Sequence, residues 1–240
     1  MKICFFGTGH GVPEAHKKCT ATLLQVGESY YIIDAGCDIA YELSEKRVPF
    51  EKVRAIFVTH PHSDHTNGLL PFLTITNWYY TKADFTVFLP SEKLAHNYKE
   101  VVFPALERSL RPEQRMEAYQ QGVIYDDGTL RVTAIPTQHC LNSYAFLLEA
   151  EGKRVLFTGD LKDPLIDFPP VDDLDAAVVE GVHFPLMNYE EVLKNKKIGV
   201  VYVHHYGNYI GRSNHRYFKP LQAALPMPIH FATDGMETEI

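Results

Sequence analysis

Residues 54–65 read Arg54-Ala55-Ile56-Phe57-Val58-Thr59-His60-Pro61-His62-Ser63-Asp64-His65, a short apolar run that breaks into a polar segment carrying three histidines and an aspartate. The apolar part has the length and β-branched character of a buried strand. With 12 histidines in 240 residues, chance would place His-x-His-x-Asp-His somewhere in the chain at a frequency of roughly 0.002. A polar surface loop is the plain reading of such a segment. Imidazoles and a carboxylate packed this closely after a rigid strand end are instead what a metal site needs, and the set suits Zn²⁺, Mn²⁺ or Fe. Pro61 limits the freedom of the loop, and alternate residues can face two neighbouring ions.

The rest of the composition frames that motif. Hydrophobic residues make up 45% of the chain and charged residues 22%, which excludes disorder, collagen and coiled coil. The net charge of −7 argues against broad recognition of a phosphate backbone. The uncharged runs 66–81 and 132–148 are broken by Pro71 and Pro136, so neither supplies the about 18 apolar residues of a membrane span. The opening Met1-Lys2-Ile3-Cys4-Phe5-Phe6-Gly7 reads as a first strand rather than a signal peptide. Cys4, Cys19, Cys37 and Cys140 form no C-x-x-C pair, and the expectation is reduced thiols in a cytoplasmic protein.

Strand signals occur at residues 3–6, 20–26, 30–33 and 54–58, again at 86–89, and throughout 123–157. Helices are expected over 38–47, from Ser91 toward Leu110, over 189–197 and over 213–224. Strands at 176–179 and 199–203 alternate with them, and a last strand is expected at 229–231. No linker or repeat of fixed period interrupts the chain. Grouped strands with flanking helices predict one α/β domain over residues 1–240, layered as a sandwich rather than wound around a single parallel sheet.

The motifs resemble those of the metallo-β-lactamase superfamily. Ile32-Ile33-Asp34-Ala35-Gly36 is similar to its aspartate motif, and Phe57-Val58-Thr59-His60 leads into its signature loop. His139 before Asn142-Ser143-Tyr144, Phe157-Thr158-Gly159-Asp160, Val201-Tyr202-Val203-His204-His205 and Asp234-Gly235-Met236 continue the pattern. The resemblance implies a four-layer αβ/βα sandwich with a metal centre between two sheets. It also implies two divalent ions, zinc first and manganese or iron as alternatives. His60, His62 and His139 would hold one ion, Asp64, His65 and His205 the other, and Asp160 would bridge them.

On the residues alone, His139 also reads as a hydrogen-bonded core histidine and Asp160 as a turn or cap residue. His204 and His205 should point opposite ways at a strand end; the resemblance favours His205 as the ligand, with His230 a weaker competitor. Asp34 is expected to accept a proton from a ligating imidazole, and Asp234 to act similarly or to serve an ordinary Asp-Gly turn. Gly7-Thr8-Gly9-His10-Gly11 fails as a dinucleotide fingerprint because Val12-Pro13 follows, and reads as a tight loop beside the site.

The opening loop, the signature and Asp234-Gly235-Met236 are most similar to the tRNase Z and small cyclic-phosphate phosphodiesterase branch. Of that branch's His-Glu-Ala-Thr-Phe segment, only Glu180 and Phe184 match. Its His-Ser-Thr segment has no counterpart between Tyr189 and Ile198, and no long Gly/Pro-rich arm is visible. The expectation is therefore a dinuclear hydrolase acting on a small phosphodiester, cyclic ones included, with Asp64, Glu180 and His183 as catalytic candidates and extended nucleic-acid binding disfavoured. A carbonyl hydrolase for thioesters or lactones is the alternative on the same ligands, and a non-catalytic metal-binding module the third reading. An electron-transfer diiron centre is disfavoured because His62 is intact. Trp78-Tyr79-Tyr80 reads as core, or as a stacking surface for a base or sugar, and Arg212 and His215 as phosphate contacts. A homo-oligomer is compatible with the sequence.

Overall fold

Strict alternation in β1 (Lys2–Gly7) sends Ile3 and Phe5 to one face and Cys4 and Phe6 to the other, and both faces are buried. A strand buried on two sides belongs to a layered protein. The computed structural model describes residues 1–207 and 216–240. Its first sheet holds β2 (Ala21–Val26), β3 (Ser29–Ile33), β4 (Val53–Phe57), β5 (Phe85–Leu89), β6 (Gln114–Ala118) and β14 (Glu237–Glu239), in the order β14-β1-β2-β3-β4-β5-β6. The second holds β7 (Gly122–Asp126), β8 (Arg131–Pro136), β9 (Tyr144–Ala150), β10 (Lys153–Phe157), β11 (Leu174–Glu180), β12 (Ile198–His204) and β13 (Ile229–Phe231), in the order β13-β12-β11-β10-β9-β8-β7.

Helices cover the outer faces. On the first sheet lie α1 (Ile39–Glu45), α2 (Leu69–Trp78) and α3 (Glu92–Leu106), burying Leu43, Phe72, Leu73 and Val102. On the second, α5 (Asn188–Leu193) and α6 (Phe218–Ala224) bury Tyr189, Leu193 and Leu221, and the short α4 (Pro164–Asp167) packs on α5. Between the sheets lies a third apolar layer with Ile3, Phe5, Tyr31, Phe57, Phe146 and Phe157. The result is the expected four-layer αβ/βα sandwich. The two sheets repeat one pairing order: three antiparallel contacts from β14 to β3 and from β7 to β10, then three parallel contacts outward to β6 and β13.

The strand at 229–231 is not the last. Glu237–Glu239 returns to pair antiparallel with β1, Lys2 facing Glu239. Glu237-Thr238-Glu239 carries no hydrophobic alternation, and what stabilises it is edge pairing plus the ion pairs of Glu237 with Lys2 (2.8 Å) and Lys46 (2.7 Å). The third helix stops at Leu106 rather than continuing to Leu110, because Glu107 turns left-handed at φ 56°. Helix 189–197 shortens to Asn188–Leu193, and of the helix expected over 213–224 the described residues show Phe218–Ala224, with Tyr217 as its N-cap, while residues 213–215 lie outside the described residues.

Phe57 ties the sheets together. Its ring is fully buried, stacks on Phe88 at 5.2 Å and meets Tyr125 at 5.3 Å and Phe146 at 6.1 Å. Phe57→Ala is expected to lower unfolding free energy by about 3–5 kcal/mol in urea titration. A loss below about 1 kcal/mol would mean that the inter-sheet layer repacks.

Candidate metal centre

The parallel strands of both sheets point their C-terminal ends at one place, the usual position for a site in an α/β sheet. β3 leads to Asp34 and β4 to Thr59-His60; β10 leads to Asp160, β11 ends at Glu180, and β12 leads to His204-His205. The signature loop is laced to the segment after β3. Ala35 N–H donates to His65 O (2.8 Å) and Gly68 N–H to Ala35 O (2.7 Å). Contact here is so close that a β-carbon at Gly36 would lie 1.7 Å from Asp64 O, and one at Gly68 1.8 Å from Cys37 O. Only glycine permits that approach. A single 3₁₀ turn, Ser63–His65, follows and brings the His65 ring to 4.0 Å from that of His60.

Donor atoms of His60, His62, His139 and Asp160 lie within 4.8 Å of one another, as do those of Asp64, His65 and His205. Asp160 stands between the groups. Its Oδ2 is 3.6 Å from His60 Nε2 and 3.5 Å from His65 Nε2, and its Oδ1 is 3.5 Å from His205 Nδ1. His60, His65, Asp160 and His205 are buried, yet His65 Nε2, Asp160 Oδ1 and His205 Nδ1 have no hydrogen-bond partner. Buried polar atoms left without partners are costly. A cation would satisfy all three, so the residues fit divalent metal ions by geometry and by donor chemistry.

Electrostatics favour the ligand form of Asp160, Asp64 and His60, whereas at His65 burial is outweighed by Asp160 and Asp34, which raise it well above the usual imidazole range. Burial pushes the Asp160 carboxyl up, but His205 and His65 outweigh it and hold it well below the carboxylate range. Asp64 is lowered in the same way, burial opposing and His205 and His65 prevailing. Burial, helped by His65, drives His60 down and keeps its imidazole neutral.

Asp34 organises both groups. Its carboxylate accepts the Thr59 N–H (2.8 Å), the Thr59 hydroxyl (3.0 Å) and His65 Nδ1–H (2.9 Å). With its proton given to Asp34, the Thr59 hydroxyl accepts from His60 Nδ1 at 3.1 Å. In the neutral form both imidazoles then turn an unprotonated Nε2 toward the centre. Asp34 holds φ at 59° to do so, a backbone state aspartate tolerates better than most residues. The Thr59 hydroxyl was not singled out from sequence; its place directly before His60 was the available signal. Tyr119, which braces Val58 O through its hydroxyl at 2.6 Å, carries no such signal.

The adjacent histidines diverge as expected. His204 turns into the interior, Nδ1 3.2 Å from the Thr20 hydroxyl, whereas His205, at φ 47°, places Nε2 3.2 Å from Asp64 Oδ2. His230 is exposed, its ring 5.6 Å from that of Tyr202 and outside the centre. The opening loop does lie beside the site: Gly11 abuts the Asp64 carboxylate, and the His10 ring sits 6.4 Å from His205.

Three expectations need correction. Asp234 touches no ligating imidazole among the described residues. It accepts the Thr8 N–H (2.9 Å), the Thr8 hydroxyl (2.8 Å) and the Lys18 N–H (2.7 Å), pinning both ends of the opening loop. Glu180 is fully buried, its oxygens taken by the N–H groups of Leu161, Val182 and His183 and by His183 Nδ1 at 2.9 Å. It orients His183 and is out of reach of a substrate. His183 itself lies at the centre, Nδ1 3.8 Å from Asp160 Oδ2 and its ring 4.6 Å from that of His139. Of the aromatic triplet, Trp78 and Tyr79 are exposed at the end of α2 remote from its site-facing start, Trp78 lying under Arg108, and Tyr80 stacks on Phe50 at 3.8 Å. They are neither core as a set nor a binding surface at the centre. Arg212 and His215 lie outside the described residues.

The family model for anti-Pycsar protein Apyc1 matches residues 1–208. The chain belongs to the anti-Pycsar protein Apyc1 family. This Apyc1-family chain lies in the tRNase Z-like branch of the metallo-β-lactamase superfamily. It is 28% identical over 201 residues to ribonuclease Z of Geobacillus kaustophilus, covering 82% of this chain and 60% of that protein. With ribonuclease Z of Listeria innocua the figures are 26% over 175 residues, 71% and 56%. The chain thus spans only a little over half the length of these curated relatives.

Among solved structures, the metallo-β-lactamase fold protein YhfI of Bacillus subtilis is similar at TM-score 0.79 and 20% identity, covering 99% of each chain. A diphosphatase of the PhnP family aligns at TM-score 0.72 and 19% identity, covering 100% of this chain and 97% of the other. These likenesses establish the fold of the Apyc1-family chain. No helix among its described residues is long and apolar enough to cross a membrane.

Asp34→Asn keeps the size of the side chain and its tolerance of positive φ while replacing one acceptor oxygen by a donor. Zinc affinity, read by chelator competition, is expected to fall about 10–100-fold with the circular dichroism spectrum retained. Unchanged affinity would remove Asp34 from the support of the centre.

Proposed function

We propose that this chain is a metal-dependent phosphodiesterase with two ions at one centre, acting on a small phosphodiester, cyclic ones included. The position of Asp160 carries the reading: one buried carboxylate stands within 3.6 Å of imidazoles belonging to both ligand groups. Support also comes from the curated relatives, which are ribonucleases Z. When bound, two ions lower the pKa of water toward about 7 and neutralise the charge that develops on phosphoryl oxygens. Zinc suits this donor set first, with manganese and iron as alternatives.

The chain's own contribution is placement and proton handling. Asp34 and Thr59 hold His60 and His65 in the ligating tautomer, and Asp64 with His205 completes the second group. Glu180 engages Nδ1 of His183, which leaves Nε2 free to deliver a proton to the departing oxygen. A net charge of −7 supports a small substrate over a long polyanion. We take residues 1–240 as one folding unit acting in a reducing, cytoplasmic compartment. The pairing of β14 with β1 and the contact of Met1 N with Ile240 O at 3.4 Å support the first part, and the four unpaired cysteines are compatible with the second.

The test is hydrolysis of bis(p-nitrophenyl) phosphate by protein loaded with zinc or manganese. About two ions per chain are expected by metal analysis, and turnover should fall at least about 100-fold in Asp64→Ala with the fold retained. Turnover of thioesters or lactones with the phosphodiester inert would redirect the reading to carbonyl hydrolysis. A stoichiometry of zero would remove the metal reading.

His183→Ala is expected to lower kcat about 100-fold with little change in KM. Glu180→Gln should lower kcat less, since it disturbs only the orientation of the ring. Equal losses in kcat/KM and metal content in His183→Ala would instead make His183 a ligand.

A further inference from the structure

Two of the ligands sit on loops with no strand contact between their tips. His139 belongs to the β8–β9 connection, closed by Thr137 N–H to Ser143 O at 2.9 Å and by the Thr137 and Ser143 hydroxyls at 2.7 Å. Asp160 belongs to the β10–β11 connection, which continues into α4. For both to meet one ion, the two loops must be fixed relative to each other, because metal geometry tolerates small errors only.

Asp167, the last residue of α4, spans them. Its Oδ2 accepts Gln138 N–H at 2.7 Å, beside His139, and Lys162 N–H at 3.1 Å; its Oδ1 accepts Asp163 N–H at 3.1 Å. The carboxylate is nine-tenths buried. Its helix is anchored in turn, since Asp163 caps Leu165 N–H at 2.9 Å and accepts Asn188 Nδ2 from α5 at 2.8 Å. A continuous path of hydrogen bonds therefore runs from the outer helix layer to the residue before His139. The one other bond between the two loops at this point is Thr137 Oγ1 to Asp160 O, a longer 3.3 Å.

We propose that Asp167 is a positioning residue for the metal centre, which sets His139 against Asp160 without touching an ion or a substrate. The inference rests on the metal reading of the centre and concerns the group formed by His60, His62, His139 and Asp160. Hydrogen bonds of this kind, one step removed from the ligands, typically carry 10–100-fold in metal affinity.

The experiment compares wild type, Asp167→Ala and the isosteric Asp167→Asn, with Asp175→Asn as a control carboxylate at the opposite end of β11. Zinc affinity is read by chelator competition, alongside the melting temperature of the metal-free protein and amide exchange at Gln138. Asp167→Ala should lose about 10–100-fold in affinity for one of two ions and exchange the Gln138 amide faster. Asp167→Asn, which keeps one acceptor oxygen, should fall between it and wild type, and Asp175→Asn should match wild type. A purely structural role would lower the metal-free melting temperature while the folded variant bound zinc as wild type does, and that result overturns the inference. If Asp167→Ala does not fold, Asp167→Asn decides alone: affinity within twofold of wild type overturns it. A wild-type chain that binds no zinc would overturn the metal reading itself and this inference with it.

Discussion

One buried carboxylate, that of Asp34, commands a histidine in each ligand group, His65 directly and His60 through the Thr59 hydroxyl. Left without that fixed proton arrangement, neutral imidazoles could present either nitrogen, and a cluster of them would have no defined ligating face. The rest of the loop geometry follows from keeping Asp34 there. Its positive φ, the glycines at 36 and 68, and the main-chain bonds from Ala35 and Gly68 all serve to press the strand end against the signature loop.

The same economy appears across the centre. Carboxylates are surrounded by imidazoles and lie below their usual range despite burial, while His60 is driven down by burial and by its neighbour His65. Asp160, Asp64 and His60 are thereby held in the form that binds a cation, whereas at His65 burial is outweighed by Asp160 and Asp34, which raise it well above the usual imidazole range. The orphaned nitrogens and oxygen at the centre mark the position such a cation fills. Glu180 belongs to this supporting shell, since it spends both oxygens on main-chain donors and on His183.

Much of this was legible in the sequence, and the reasons differ by element. The buried strand before His60 and the donor-rich loop after it were readable because a continuous apolar run and a dense donor cluster are local signals. A layered sandwich was readable from grouped strands and flanking helices, and its four-layer form from the family resemblance. Residues 237–239 were not, because that strand is specified by a partner at the far end of the chain and by ion pairs rather than by its own pattern. Asp234 and Glu180 were recognised as site-related, but their true partners are main-chain N–H groups of distant segments, Thr8 and Lys18 in one case and Leu161 in the other. Spacing cannot reveal such contacts. Trp78 and Tyr79 fell between the two readings offered for them, exposed and away from the centre.

Apart from β14, which returns from residues 237–239 to the first sheet, the repeated pairing order of the two sheets divides the chain near residue 120 into halves of similar topology. The first half supplies His60, His62, Asp64 and His65, and the second His139, Asp160 and His205. On the proposed ligand assignment neither half owns a complete coordination set, so an ion held here would act as a rivet between them. Occupancy thereby reports on the docking of the halves as much as on the ligands, and a nick that separates the sheets would silence the centre while leaving every ligand chemically intact.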